Sequence, residues 1–359
     1  MKISNLTFIV TDDCNFNCAY CFQKKEKQTI QPLCIEAAVD FFYPFLRDDH
    51  TNHINFYGGE PLLAFSRIKL AVLLLRARNT AGQKTLKFSL TTNGYLLTGE
   101  MLEFFNRHHF GLMLSFDGLA QAARQPGSLE KTVQAMKRLP AYPDIDVEIN
   151  SVFSPRTIGR LADSLGFIIR RQGPDLTFNL SSIEEWPPQD IEILAGELKR
   201  LTAFLVRHYR QTGHIPVKNF RTPGRSHSPG IFRCRAGEDH LAVSPDGLVW
   251  GCYLFHDYFK TRQNTPQYRE YCFGSLADFM ILHKTRYPEI MAHYADLHQD
   301  LFGVEGQACF LCPDIRSCLV CPVYAAYATG SLGQISRRHC LLTTIQSQAR
   351  HHFHQQLKE

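Results

Sequence analysis

Strand-like and helix-like stretches alternate six times over the first half of this 359-residue chain, and no other feature limits its fold as much. Apolar, β-prone runs stand at Leu6–Val10, His53–Tyr57, Leu86–Leu90, Phe110–Phe116, Asp146–Phe153 and Asp175–Ser181. Between them lie stretches with helical spacing. Gln31–Leu46 puts Ile35, Ala38, Val39, Phe42 and Leu46 on one face, and Arg67–Arg78, Leu97–Arg107, Ser128–Leu139 (with Ser128 as cap) and Thr157–Arg171 follow. Parallel strands need such crossovers, so the pattern predicts an α/β fold, a parallel barrel of βα units. Six units rather than eight leave it partial and open on one side, wide enough for a large substrate. The strands end in polar or glycine-containing residues, where such folds place their ligand groups.

The first strand runs into Thr11-Asp12-Asp13-Cys14-Asn15-Phe16-Asn17-Cys18-Ala19-Tyr20-Cys21. One loop with this spacing brings three thiolates to three corners of an iron–sulfur cube and offers no fourth ligand. A closed structural site takes four, so an iron open to a small molecule is the chemical reading, with a zinc loop or incidental cysteines as the alternatives. The chain has 12 cysteines, ten of them in two spaced groups, and only Cys34 and Cys272 stand apart. In a cytoplasmic chain, which the lack of a signal peptide suggests, that number favours metal ligation over disulfides. A net charge of +5 is too small to argue for nucleic acid. No apolar run is long enough for a membrane span.

Cys14-x3-Cys18-x2-Cys21 after a first strand resembles the cluster motif of the radical S-adenosylmethionine (radical SAM) enzymes, whose barrel is a partial (β/α)6 TIM-like one. There three cysteines hold a 4Fe–4S cluster and S-adenosylmethionine chelates the fourth iron. The resemblance extends along the strand ends. Gly58-Gly59-Glu60 matches the motif that holds the methionine amino group; read from the residues alone, a double glycine lets backbone approach a ligand closely. Thr92 and Asn93 match a Thr-Asn-Gly motif, and Ser115 and Asp117 a Ser-x-Asp-Gly motif, both implied to lie near the ribose and methionine. Tyr20 and Asn150 are placed with these cofactor residues. Polar capping of strand ends is the plainer account of each.

Pro187–Arg210 reads as a long boundary helix, and 211–230 as a linker or loop whose Lys218, Arg221 and Arg225 form a solvated face. The expected division is a barrel over 1–187, a connection over 188–230, a cysteine-rich domain over 231–345 and a helical tail over 346–359. Seven cysteines fall in the third part, at Cys234, Cys252, Cys309, Cys312, Cys318, Cys321 and Cys340. That density suits two iron–sulfur clusters better than one zinc, with two zinc sites still open. The hairpin Leu241–Trp250, with Pro-Asp-Gly at its turn, precedes Cys252. The group resembles the SPASM domain of radical SAM enzymes that modify peptides and proteins. The resemblance implies auxiliary cluster I on Cys234, Cys252 and Cys321, and cluster II on Cys309, Cys312, Cys318 and Cys340. One departure is Cys318-x2-Cys321, with Leu319-Val320 where the pattern has three residues. Another is the missing fourth ligand of cluster I, for which water, a substrate thiolate, Cys272, Asp239 and His240 are candidates.

The resemblance implies a 5′-deoxyadenosyl radical that takes a hydrogen from substrate. The implied function is oxidative maturation, by thioether or other crosslink, of a ribosomally made peptide. The alternative is an anaerobic sulfatase-maturating enzyme that makes formylglycine; those carry an acid where this chain has Tyr253. Implied partners are a peptide or protein substrate, a separate leader-recognition protein, and an electron donor such as flavodoxin or ferredoxin, with neither nucleic acid nor membrane.

Overall fold

The structure is a computed structural model and describes residues 1–171, 173–221, 234–293, 302–315, 318 and 320–358. Arg225 and Leu319 lie outside the described residues.

The six expected βα steps are present. They run β1 (Asn5–Thr11), α1 (Pro32–Phe42), β2 (Thr51–Gly58), α2 (Phe65–Arg78), β3 (Thr85–Thr92), α3 (Gly99–Arg107), β4 (Gly111–Ser115), α4 (Leu129–Arg138), β5 (Asp146–Phe153), α5 (Leu161–Arg170), β6 (Leu176–Leu180) and α6 (Pro188–Thr212). Every pairing from β1 to β6 is parallel. Alternation decides which side chains face the helices. Phe8, Phe56, Phe88 and Phe110 are fully buried there and stack with centroids 5.5–6.0 Å apart. Each such ring contributes roughly 1.5–3 kcal/mol by leaving water.

Two expectations change. Ser128 does not cap α4 with its side chain; its backbone is helical already, and its hydroxyl donates to the Gln125 carbonyl. The stretch after α6, expected as a linker or loop with a solvated charged face, is a loop packed as far as Arg221, and its charges are paired. Val217 bridges Leu176, Asn219 grips the backbone of Phe178 on both sides, Lys218 pairs with Glu148, and Arg221 pairs with Asp175. These are side-chain-to-backbone and charge contacts between distant residues, which local composition does not encode.

The cysteine-rich part shares the barrel's sheet. β7 (His240–Val243) pairs parallel with β1, and β8 (Leu248–Trp250) and β9 (Cys272–Ser275) continue antiparallel, so nine strands run β6-β5-β4-β3-β2-β1-β7-β8-β9. Helices α7 (Tyr253–Phe259), α8 (Pro266–Tyr271), α9 (Leu276–His293), α10 (Pro322–Thr329) and α11 (Arg337–Gln356) belong to this part, with a small antiparallel pair of Gly303–Val304 and Gln307–Ala308 between α9 and α10. One core cluster joins Phe8 and Phe56 to Trp250, Phe255 and Tyr324. The last helix docks on the barrel: Phe353 is buried against Phe220, and His354 Nε2 lies 2.8 Å from the Phe220 carbonyl. No described helix is long and apolar enough to cross a membrane.

Candidate functional site

The cysteine loop is seated on the end of β2 by backbone contacts. The Gly59 amide donates to the Thr11 carbonyl at 2.9 Å, and the Glu60 amide to the Asp13 carbonyl at 2.8 Å. A Cβ on Gly58 would stand 2.1 Å from the Thr11 oxygen, and one on Gly59 2.3 Å from the Asp13 oxygen. The close approach for which the double glycine is needed is thus made to the chain's own loop. Within the loop, Asp13 Oδ1 accepts from the Cys14 amide at 2.9 Å and the Cys21 amide donates to the Cys18 carbonyl at 3.1 Å. Asn93 Nδ2 reaches Asn15 Oδ1 at 2.8 Å and ties the loop to the end of β3.

A cleft of about 420 Å³ opens at the carboxyl ends of the strands. Cys14, Cys18, Cys21, Tyr20, Gly58, Gly59, Glu60, Thr92, Asn93, Ser115 and Asn150 all line it. Asp117 does not. Its carboxylate is fully buried behind the wall, where it accepts from the Tyr20 hydroxyl, from Arg124 Nη2 at 2.8 Å and from the Val152 amide at 2.8 Å. A Ser-x-Asp-Gly pattern cannot reveal this, because it does not show that Arg124 turns back onto Asp117.

Glu60 is 1% exposed, and burial pushes its carboxyl up to about 7. Thr92 Oγ1 at 2.7 Å and the amides of Asn93 at 2.8 Å and Leu62 at 3.1 Å pull the other way. Oε2 accepts only the Asn93 amide among these, so it keeps capacity for an ammonium donor.

The remaining cysteines expected as ligands gather in two further sets. Cys309, Cys312, Cys318 and Cys340 line a cavity of about 520 Å³. Burial pushes the Cys309 thiol up to about 11, and the other three thiols add to it. Cys234, Cys252 and Cys321 form the other set: burial raises all three, the Cys234 thiol to about 11, and Cys321 acts on both of its neighbours. Cys14 is likewise pushed up to about 11, chiefly by burial. Thiols so raised stay protonated when free, and ligation to iron deprotonates them outright. Thiolates of a cubane sit on separate irons, farther apart than the ligands of a single ion. The donor sets and cavities fit iron–sulfur clusters.

Cys272 is not with the cluster I set. It sits on β9 opposite Trp250, and the groups acting on its thiol are Asp246, Tyr268 and Arg286. Asp239 is held by Ser4 Oγ at 2.7 Å and Arg235 Nε at 3.0 Å. His240 faces the barrel interior.

Two buried groups have no sequence signal, since their partners are 200 or more residues away. Asp12 receives His256 Nε2 at 3.0 Å and Lys260 Nζ at 3.1 Å. Burial pushes its carboxyl up, but the two partners outweigh burial and hold it below the usual range. Asp257, on the same helix α7, accepts from Gln23 Nε2 at 3.1 Å and the Tyr57 hydroxyl at 3.0 Å, and burial pushes it up to about 6. Tyr57 packs against Tyr253 with centroids 4.2 Å apart on the cleft wall.

Residues 8–167 match the model of the Radical SAM superfamily. The chain carries a radical SAM domain. Its cysteine loop, its Gly-Gly-Glu turn, the end of β1 and strands β2 to β5 lie within the matched span. The fold of the whole chain is also shared with solved structures. The structure titled native anSMEcpe with bound AdoMet superposes with a TM-score of 0.72 at 19% identity, over 98% of this chain and 96% of that one. The radical SAM domain lies within this superposition, and so does the cysteine-rich part. Streptococcus suis SuiB bound to precursor peptide SuiA gives 0.62 at 14% identity, over 94% and 76%. In sequence, the radical SAM cyclopropyl synthase TigE of Paramaledivibacter caminithermalis is 23% identical over 72% of this chain. The match spans 59% of TigE's own length. A serine-type anaerobic sulfatase-maturating enzyme of Klebsiella aerogenes is 30% identical over 29% of this chain and 27% of its own.

Proposed function

We propose that this protein is a radical SAM maturase that oxidatively modifies a peptide. The observation that carries the reading is a single cleft with Cys14, Cys18 and Cys21 on one wall and Cys321, of the cluster I set, on another. A substrate there lies between a site of radical generation and a site of electron removal. Bound together, the 4Fe–4S cluster and S-adenosylmethionine supply a 5′-deoxyadenosyl radical that takes a hydrogen atom.

The chain's own residues do the rest. Cys14, Cys18 and Cys21 ligate the first cluster. Glu60 accepts the methionine ammonium at Oε2, and Asn93, Ser115 and Asn150 orient the cofactor from the strand ends. Tyr20 is locked in place by Asp117 and Arg124. Asp257 offers a proton-accepting carboxylate one hydrogen bond from the cleft, through Tyr57. Cys234, Cys252 and Cys321 hold cluster I, and Cys309, Cys312, Cys318 and Cys340 hold cluster II. The peptide substrate is supported by relatives whose structures contain peptides.

The test is incubation of reconstituted enzyme with S-adenosylmethionine, dithionite and the short peptides encoded beside its gene. A peptide mass lowered by a pair of hydrogens is expected; no change with any of them refutes the reading. The second reading, formylglycine formation on a sulfatase, draws on the whole-chain likeness to anSMEcpe. A sulfatase-derived peptide run in parallel separates the two.

A further inference from the structure

We infer that the barrel interior below the cofactor cleft is a second binding groove, and that it takes a neutral, extended segment of the peptide substrate. The inference rests on the maturase reading and adds where the peptide lies and what recognises it. Barrel interiors are ordinarily filled by layers of branched apolar side chains. Here strand register builds a different layer: Thr7 pairs with Asn55, Asn55 with Ser89, Ser89 with Gly111, and Gly111 with Asp146. A cavity of about 430 Å³ opens along this layer. It shares Tyr57, Thr91, Met113 and Tyr253 with the cofactor cleft, so the two spaces adjoin at that collar. The volume is that of a ligand site.

The layer is polar and already oriented. Asn55 Nδ2 donates to Asn5 Oδ1 at 2.7 Å, and Ser89 Oγ donates to Asn55 Oδ1. That arrangement occupies the Asn5 amide oxygen, on a residue that lines the cavity. Gly111 leaves the floor open, since a Cβ there would meet nothing closer than 3.6 Å. Along each strand the inward residues recur about every 6.6 Å, the two-residue repeat of an extended peptide. Charge selects among polar ligands. Lys87 is paired with Asp146 at 3.4 Å, and Lys218 with Glu148, so neither cation is free for a phosphate. A nucleotide is therefore a poor occupant, and main-chain amides are a good one.

The test uses Gly111→Leu, which plugs the cavity from its floor, and Asn55→Ala, which removes the central polar group. The probes are fluorescein-labelled synthetic copies of the peptides encoded beside the gene, read by anisotropy, with GTP as competitor. Both variants should bind peptide at least about tenfold more weakly. S-adenosylmethionine affinity, which uses the other cavity, should stay within about twofold, and melting should stay cooperative. Wild-type peptide affinity and modification retained in both variants overturn the groove alone, and displacement of peptide by GTP overturns its ligand class. A wild type that neither binds nor modifies any peptide overturns the maturase reading together with this one.

Discussion

Gly59→Ala separates two accounts of the Gly-Gly-Glu turn. If the glycine serves an approach to the cofactor, the variant folds, takes up iron and loses only affinity for S-adenosylmethionine. The structure argues otherwise. A Cβ at Gly59 falls 2.3 Å from the Asp13 oxygen, 2.7 Å from its carbon and 2.9 Å from the Asp12 oxygen, all of them backbone atoms with no rotamer to move. The cysteine loop must retreat by the better part of an ångström. That stretches the Gly59 to Thr11 and Glu60 to Asp13 hydrogen bonds, now 2.9 and 2.8 Å. Two weakened bonds cost about 1–2 kcal/mol, and overpacking against backbone adds about 1–3 kcal/mol. The sum, roughly 2–5 kcal/mol, lowers the melting midpoint by roughly 4–10 °C at about 2 °C per kcal/mol. The assay is thermal melting of the iron-free protein, followed by iron counting after anaerobic reconstitution. The variant should melt lower before any iron or cofactor is added, and its first cluster should fill poorly. A Gly59→Ala protein that melts like wild type and takes up full iron refutes the argument.

Asp12→Asn leaves His256 and Lys260 buried without their carboxylate and should cost about 3–5 kcal/mol, with Lys260→Met in the same chain restoring part of it, both read by urea unfolding. Glu60, raised to about 7, takes up a proton more readily folded than unfolded. The iron-free protein should therefore lose up to roughly 3 kcal/mol as pH climbs from about 4.5 to 7 and stay level above, a slope that Glu60→Gln should lack. Cys309→Ser and Cys340→Ser should each remove about four of about twelve irons while leaving dithionite-driven formation of 5′-deoxyadenosine near wild type, counted by iron assay and chromatography. Asp117→Ala should free Tyr20 and strand the buried Arg124, costing about 3–5 kcal/mol by the same unfolding assay.

Much of this protein is legible in one dimension. The βα alternation is a local pattern, because each helix and strand must hide one face, and six such units have few ways to pack. The cysteine loop is legible for a similar reason: Cys14, Cys18 and Cys21 lie within eight residues of one another, so a single loop brings their thiols together. What tertiary structure decided are the contacts between residues far apart in sequence. Asp117 and Glu60 look alike as strand-end acids, yet one is used up by Tyr20 and Arg124 while the other faces the cleft. Cys272 lies only 20 positions beyond Cys252, yet β9 sets it opposite Trp250 in the sheet, among Asp246, Tyr268 and Arg286. The linkage of Asp12 to α7, and the polar floor of Asn5, Asn55 and Ser89, follow from strand register, which no local pattern sets. Local periodicity thus determines which elements form, and close spacing places the thiols of the first loop. Which polar groups end up spent on the fold, and which are left for chemistry, is settled only when distant strands pair.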